Sequence, residues 1–386
     1  MKKIIFITIT CLFYSCIQEF IPQGIEDVRG ILVIDGMIRN GESVFRLSYS
    51  VGISDSINGS EAINHAEVYV ESNDGLRIPA LFTDNGIYIA KTPVLDAKKE
   101  YRLSAIIDGE ICESEFLAPV ITAEIDSIFP VKKDRNQSVE LCIATHDPGN
   151  NSIYYRWEYR EAWEVKTELF ANARYHEDEN GKVIDYSKLI EHSLNTSENT
   201  YYCWGRDSSK TFFLASTEKF SENRIAQQPL VNIPCDHDKL SILYHIEVEQ
   251  IQIREAAYRY FDDQKKMVDR TGDIFDPILS VSLRGNLYFR NDPNRMVIGY
   301  VEVSTVTTKD RYIWEHEGFY EPPLQMCTPY IMPNDPARFL WGKDLWGFIR
   351  AYYNGSGELA DKRCVDCRIK ENASKLKPSN WPTEHL

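Results

Sequence analysis

Alternation with a period of two residues restricts the fold of this chain more than any other feature. In Ile153–Arg160, Ile153, Tyr155, Trp157 and Tyr159 fall on one side, and Tyr154, Arg156, Glu158 and Arg160 on the other. Successive side chains of an extended strand point to opposite faces, so one aromatic side and one mostly charged side predict a half-buried strand. Leu240–Glu249 repeats the pattern, with Ile242, Tyr244, Ile246 and Val248 opposed to Leu243, His245, Glu247 and Glu249. Between Gly30 and Phe116 shorter segments of this kind are separated by Asn40-Gly41, Asn73-Asp74-Gly75, Asp84-Asn85-Gly86 and Asp108-Gly109. Such dipeptides supply the backbone geometry of tight turns, and Asp108-Gly109 between two apolar runs predicts a hairpin.

These signals predict a mainly β protein. Residues 30–118 read as an immunoglobulin-like β-sandwich, and Ala118-Pro119-Val120 as the junction. Residues 121–386 read as a larger, β-rich, sandwich-like domain, with a polar surface excursion over 172–199. One helix is expected at about 254–270, where Ile253, Ala257, Tyr260, Phe261, Met267 and Val268 form an apolar stripe that Thr271-Gly272 ends. A further short helix near Leu345–Tyr353 is expected in an otherwise irregular, Cys-containing tail.

The N-terminus sets the compartment. Lys2 and Lys3 precede an apolar run from Ile4 to Tyr14, too short to span a bilayer, and Ser15-Cys16 follows. The order resembles a bacterial lipobox, so residues 1–15 are expected to be a signal peptide and Cys16 the lipidated residue. Residues 16–29 then form a tether. Several acyl chains give stable anchoring, at about 0.8 kcal/mol per buried CH₂. Removing residues 1–15 takes away two Lys and no acid, moving the formal charge from −15 to −17. An acidic chain repels phosphate backbones, so no nucleic-acid partner is expected.

Export permits disulfides. Of nine cysteines, seven lie beyond Cys11 and Cys16, an odd number that leaves at least one thiol. Cys364 and Cys367 form a CxxC pair without the further ligands a tetrahedral metal site needs. The expectation is a stapled tail, with Cys327 the first candidate partner and Cys203 and Cys235 further disulfide candidates.

Catalytic signatures are sparse. Glu247 and Glu249 share a strand face at about 7 Å, which suits paired-carboxylate chemistry but equally a solvated face. His146-Asp147-Pro148-Gly149-Asn150 reads as a turn, and no GxSxG, HExxH, Walker or GxGxxG pattern occurs in a fitting context. No catalytic residue, metal ligand or cofactor is assigned. Trp163, Tyr201, Tyr202 and Trp204, flanking the polar excursion, are the candidates for an exposed binding patch.

Several stretches, taken in order, resemble the Bacteroidota lipoproteins grouped as domain of unknown function 4249. They include Leu32-Val33-Ile34-Asp35-Gly36, Tyr154-Tyr155-Arg156-Trp157, Tyr244-His245-Ile246-Glu247-Val248-Glu249-Gln250 and Tyr258-Arg259-Tyr260-Phe261. Gly272-Asp273-Ile274-Phe275-Asp276-Pro277, Gly285-Asn286, Val297-Ile298-Gly299-Tyr300 and the tail Cys364-Val365-Asp366-Cys367 continue the order. The resemblance implies a non-enzymatic outer-membrane lipoprotein, held to the membrane by its lipid, that partners a TonB-dependent, SusC-like receptor in capturing a ligand. A surface adhesin and an unrecognised hydrolase are the alternatives. Asp55-Ser56-Ile57 and Asp126-Ser127-Ile128 resemble the O-glycosylation pattern of such envelope proteins, which makes Ser56 and Ser127 candidate acceptors in expected loop or junction positions.

Overall fold

The computed structural model describes residues 30–51, 61–133, 137–171, 173–177, 183–191, 199–269, 284–322, 327–328, 330–331, 349–351, 358–379 and 381–382. The expected signal peptide, the tether with Cys16, and Ser56 lie outside the described residues. The protein is mainly β, as the alternation predicts.

Among the described residues the first body is one eleven-stranded sheet. Its path runs from Leu287–Phe289 through Glu110–Ser114, Tyr101–Ile107, Glu67–Ser72, Arg77–Asp84, Ile87–Thr92, Gly41–Tyr49 and Leu32–Ile38 to Val297–Ile298. The Asp108-Gly109 turn closes its hairpin with Ile107 opposite Glu110. Inward residues from strands far apart in this order, among them Ile34, Phe45, Val68, Leu103 and Cys112, share one core, so the sheet folds over on itself as a sandwich.

Residues 30–118 do not complete this body. Leu287–Phe289 pairs with Glu110–Ser114 at one end of the sheet, and Val297–Ile298 and Glu302–Val303 run parallel to Leu32–Ile38 at the other. These added strands are two or three residues long, too short to show a period. Gly299 makes the join feasible: at φ +142°, a Cβ there would stand 2.0 Å from the Ile34 carbonyl oxygen.

The second body is a two-sheet sandwich. One sheet orders Val306–Trp314, Leu243–Ile253, Tyr154–Lys166, Tyr202–Ser208 and Ala373–Ser374, with Phe213–Ser216 also paired to Tyr154–Lys166. The other orders Arg224–Pro234, Ser138–His146 and Ile125–Lys132. Tyr155, Trp157, Trp163, Tyr244, Ile246 and Val248 of the first meet Ile128, Val139, Leu141, Ile143 and Val231 of the second in a common core. Ser127 pairs with Ala144 inside the Ile125–Lys132 strand and is half-buried, which corrects its expected loop position. The polar excursion holds an antiparallel pair, Ala173–Glu177 with Val183–Glu191.

The helix is Glu255–Asp269. Ala257, Tyr260 and Phe261 pack on Tyr154, Ile251, Ile253, Met37 and Tyr300, so its apolar stripe lies over the seam between the bodies. Charge pairs such as Asp262–Lys266, at 2.5 Å, line its outer side. At its start Arg254 binds the Glu302 carboxylate and the Ala118 carbonyl, tying the junction, the added strands and the helix together. Buried Gln252 adds hydrogen bonds from Ala123 N–H at 2.7 Å and to Asp147 at 2.9 Å.

The described part of the tail is bonded to the second body. Cys327 bonds Cys364, and Cys367 bonds Cys203. The CxxC cysteines thus staple two places rather than form one redox pair. Cys235 is a buried free thiol, as are Cys112 and Cys142. This corrects the candidacy of Cys235, whose side chain is enclosed in the sandwich core. Ile349–Ala351 is a strand paired with Glu358–Asp361, where a short helix is expected from sequence.

Candidate ligand cleft between the two bodies

Of the four aromatics expected to make an exposed patch, one is buried and three are half-buried. Trp163 is 1% exposed. It continues the odd-numbered face of Tyr155, Trp157 and Tyr159, because the strand extends to Lys166 rather than ending near Arg160. Its indole lies over Gly205, and the Lys239 ammonium sits 4.5 Å from its centroid. Trp204 is half-buried beneath the tail, packed with Trp381 against Ala162 and Leu243. Tyr201 and Tyr202 are half-buried against each other, centroids 4.8 Å apart.

A cleft of about 660 Å³ lies instead at the seam, within the usual range for small-ligand sites. One wall is the edge of the first body: Asp35 on Leu32–Ile38 and Ile298, Gly299 and Tyr300 on the added segment. The opposite wall is Arg156 and Glu158, on the outward face of Tyr154–Lys166, with Lys210 and Phe212 from the following loop. The helix closes one side with Tyr260, Phe261, Gln264 and Lys265.

Arg156 is held in place. Its guanidinium carbon lies 4.4 Å from the Phe212 ring centroid and 4.6 Å from that of Phe261. Its Nε donates to Glu158 Oε1 at 3.1 Å. Phe212 and Phe261 meet edge to face at 5.2 Å, and Tyr260 packs on Tyr300 at 5.8 Å. Gln264 Nε2 donates to the Tyr260 hydroxyl at 3.0 Å. Burial, with help from the Asp35 charge, pushes the Tyr260 hydroxyl up to about 12, so it stays protonated at physiological pH.

A second hollow of about 340 Å³ shares Asp35, Arg156 and Glu158 and extends the cleft toward Arg39, Arg46, Arg160 and Glu249. Arg39 Nη1 meets Glu249 at 2.6 Å. Arg160 Nη2 meets Glu249 at 2.5 Å and Glu247 at 3.1 Å. The carboxylate pair singled out in the sequence is therefore bridged by one guanidinium. His146 bonds Asp126 at 2.7 Å, and Asp147 accepts from Gly149 N–H at 2.9 Å and Asn151 N–H at 2.7 Å, the turn its sequence predicts. Among the described residues no group of three or more His, Cys, Asp or Glu is placed to hold a metal.

A family model described as "Domain of unknown function (DUF4249)" matches residues 17–310. The chain belongs to the DUF4249 family. Every lining residue of the cleft falls within the DUF4249 match, whereas Cys327, Cys364 and Cys367 of the stapled tail lie beyond it. A comparison with curated proteins finds no match. Four of the stretches by which the sequence resembles DUF4249 meet at the cleft, through Asp35, Arg156, Tyr260 with Phe261, and Gly299 with Tyr300. Reading each stretch alone marks Arg156 as a solvated strand position and Tyr260 as core. Only their convergence reveals a site, and Phe212, Lys210 and Arg46 have no sequence signal that joins them to it.

Proposed function

We propose that this protein is a non-enzymatic, lipid-anchored envelope protein that captures a ligand in the cleft and works beside a TonB-dependent, SusC-like outer-membrane receptor. The observation that carries the reading is the cleft itself. It is open, of ligand size, and walled by both bodies. Its carboxylates Glu158 and Glu249 are held by guanidinium groups, an arrangement suited to recognition. The Ser15-Cys16 order supports anchoring. A tether of about 13 residues reaches at most some 45 Å when extended, which keeps the body close to the membrane. Shared anchoring would make receptor docking effectively intramolecular, so a modest interface suffices. No described helix is long and apolar enough to cross a membrane.

The test is extraction of an affinity-tagged chain in mild detergent from cells at native expression. A TonB-dependent barrel should copurify at near-equal stoichiometry, and a fatty-acid probe should label the wild type but not Cys16→Ala. A chain that emerges alone, with every tested uptake phenotype unchanged on deletion, favours an adhesin. Turnover by the purified chain favours a hydrolase.

A further inference from the structure

We infer that the cleft selects an anionic ligand with a flat apolar ring. The inference rests on reading the cleft as a capture site, and it names what the site takes.

Charge carries the first half. The chain as a whole is strongly acidic, with a formal charge of −15. The cleft and its extension reverse that sign: Arg39, Arg46, Arg156, Arg160, Lys210 and Lys265 face Asp35, Glu158 and Glu249. Arg39 and Arg160 are engaged by Glu249, and Arg156 by Glu158. Arg46 stands opposite Asp35 in the register of neighbouring strands, so those two charges offset each other. Lys210 and Lys265 remain. Both are exposed, and neither has an ion-pair partner among the described residues. Two ammonium groups lining a ligand-sized hollow provide a local field for an anion in a chain that is acidic overall.

The lining carries the second half. Beside the lysines the hollow is lined by Phe212, which is half-buried, and by Phe261, Tyr260 and Tyr300, which are buried. Arg156, stacked on both phenylalanines, is 15% exposed, while its partner Glu158 is 42% exposed. The carboxylate of Glu158 illustrates the group to which this guanidinium donates, and its greater exposure leaves it the partner that a ligand acid would replace. A ring against Phe212 and an acid toward Lys210, Lys265 and Arg156 satisfies both surfaces.

The probes are 8-anilinonaphthalene-1-sulfonate and its uncharged relative N-phenyl-1-naphthylamine, titrated by fluorescence into the full chain. The sulfonate should bind saturably and more weakly as salt is raised. Lys210→Ala and Lys265→Ala should each weaken it about threefold, and together about tenfold. Lys98→Ala, an exposed lysine on the first body, should leave it unchanged. The neutral dye should ignore all three lysine changes, and Phe212→Ala should weaken both dyes. The lysine variants alter exposed residues only, and their melting temperatures check that they fold. Sulfonate affinity indifferent to both lysines, or a neutral dye that loses as much as the sulfonate, overturns the selectivity while the capture reading stands. Indifference of both dyes to Phe212→Ala overturns the inference together with the use of this cleft, whatever the receptor experiment returns.

Discussion

The indole of Trp163 lies against the backbone of Gly205 on the paired strand, so close that a Cβ at 205 would stand 2.0 Å from the ring. Backbone and ring share the space a side chain would need. Gly205→Ala should therefore destabilise the protein by about 3 kcal/mol through overpacking, and Trp163→Ala by about 4 kcal/mol through the cavity it leaves. Urea unfolding checks both. In a Trp163→Ala background, Gly205→Ala should lose most of its effect, because the ring it displaces is gone.

Arg254 and Glu302 form the buried tie at the seam. The Glu302 side chain is fully enclosed, and its carboxylate also accepts from Arg254 N–H at 2.9 Å. Burial raises the Glu302 carboxyl, and Arg254 works against that rise. Arg254→Met should cost about 3–5 kcal/mol, since it strands an uncompensated buried charge. Adding Glu302→Gln should restore part of the loss. A double-mutant cycle in urea measures the difference, and strictly additive losses would show that the two side chains do not act as a pair.

The disulfides give a mapping prediction. Non-reducing peptide maps of protein made in an oxidising compartment should recover Cys203 with Cys367 and Cys327 with Cys364. Cys112, Cys142 and Cys235 should react with a thiol reagent only after denaturation. By loop-closure entropy, the bridge spanning 37 residues contributes about 4 kcal/mol and the one spanning 164 about 5 kcal/mol. Recovery of Cys364 bonded to Cys367 would contradict the fold of the tail.

Buried tyrosines set the alkaline limit. Tyr159 and Tyr260 are each pushed up to about 12 by burial, and burial also raises Tyr155, Tyr244 and Tyr300. A free tyrosine ionises near pH 10. Below that pH both folded and unfolded chains hold these protons, and stability does not depend on them. As pH rises from about 10 through 12 the unfolded chain releases protons that the folded chain keeps, so stability falls. Tyrosinate absorbance should accordingly show a late fraction that appears together with unfolding.

The alternation of Tyr155, Trp157 and Tyr159 is enough to specify a strand and its inward face, because a period of two follows from backbone geometry within one segment. The Asp108-Gly109 hairpin and the apolar stripe of the helix are local in the same sense, and both were legible. The same parity, continued past Arg160, also places Trp163 on the inward face. Other features were decided only in three dimensions. Leu287–Phe289 and Val297–Ile298 pair with strands some 170 to 270 positions earlier in the chain, across a seam to which no local period points. The pairing of Cys203 with Cys367 depends on where the tail crosses the second sheet. The cleft belongs to this class. Asp35, Arg156, Lys210 and Lys265 become neighbours only when two separately encoded sandwiches are docked, because sequence encodes the faces of elements and packing decides which faces meet.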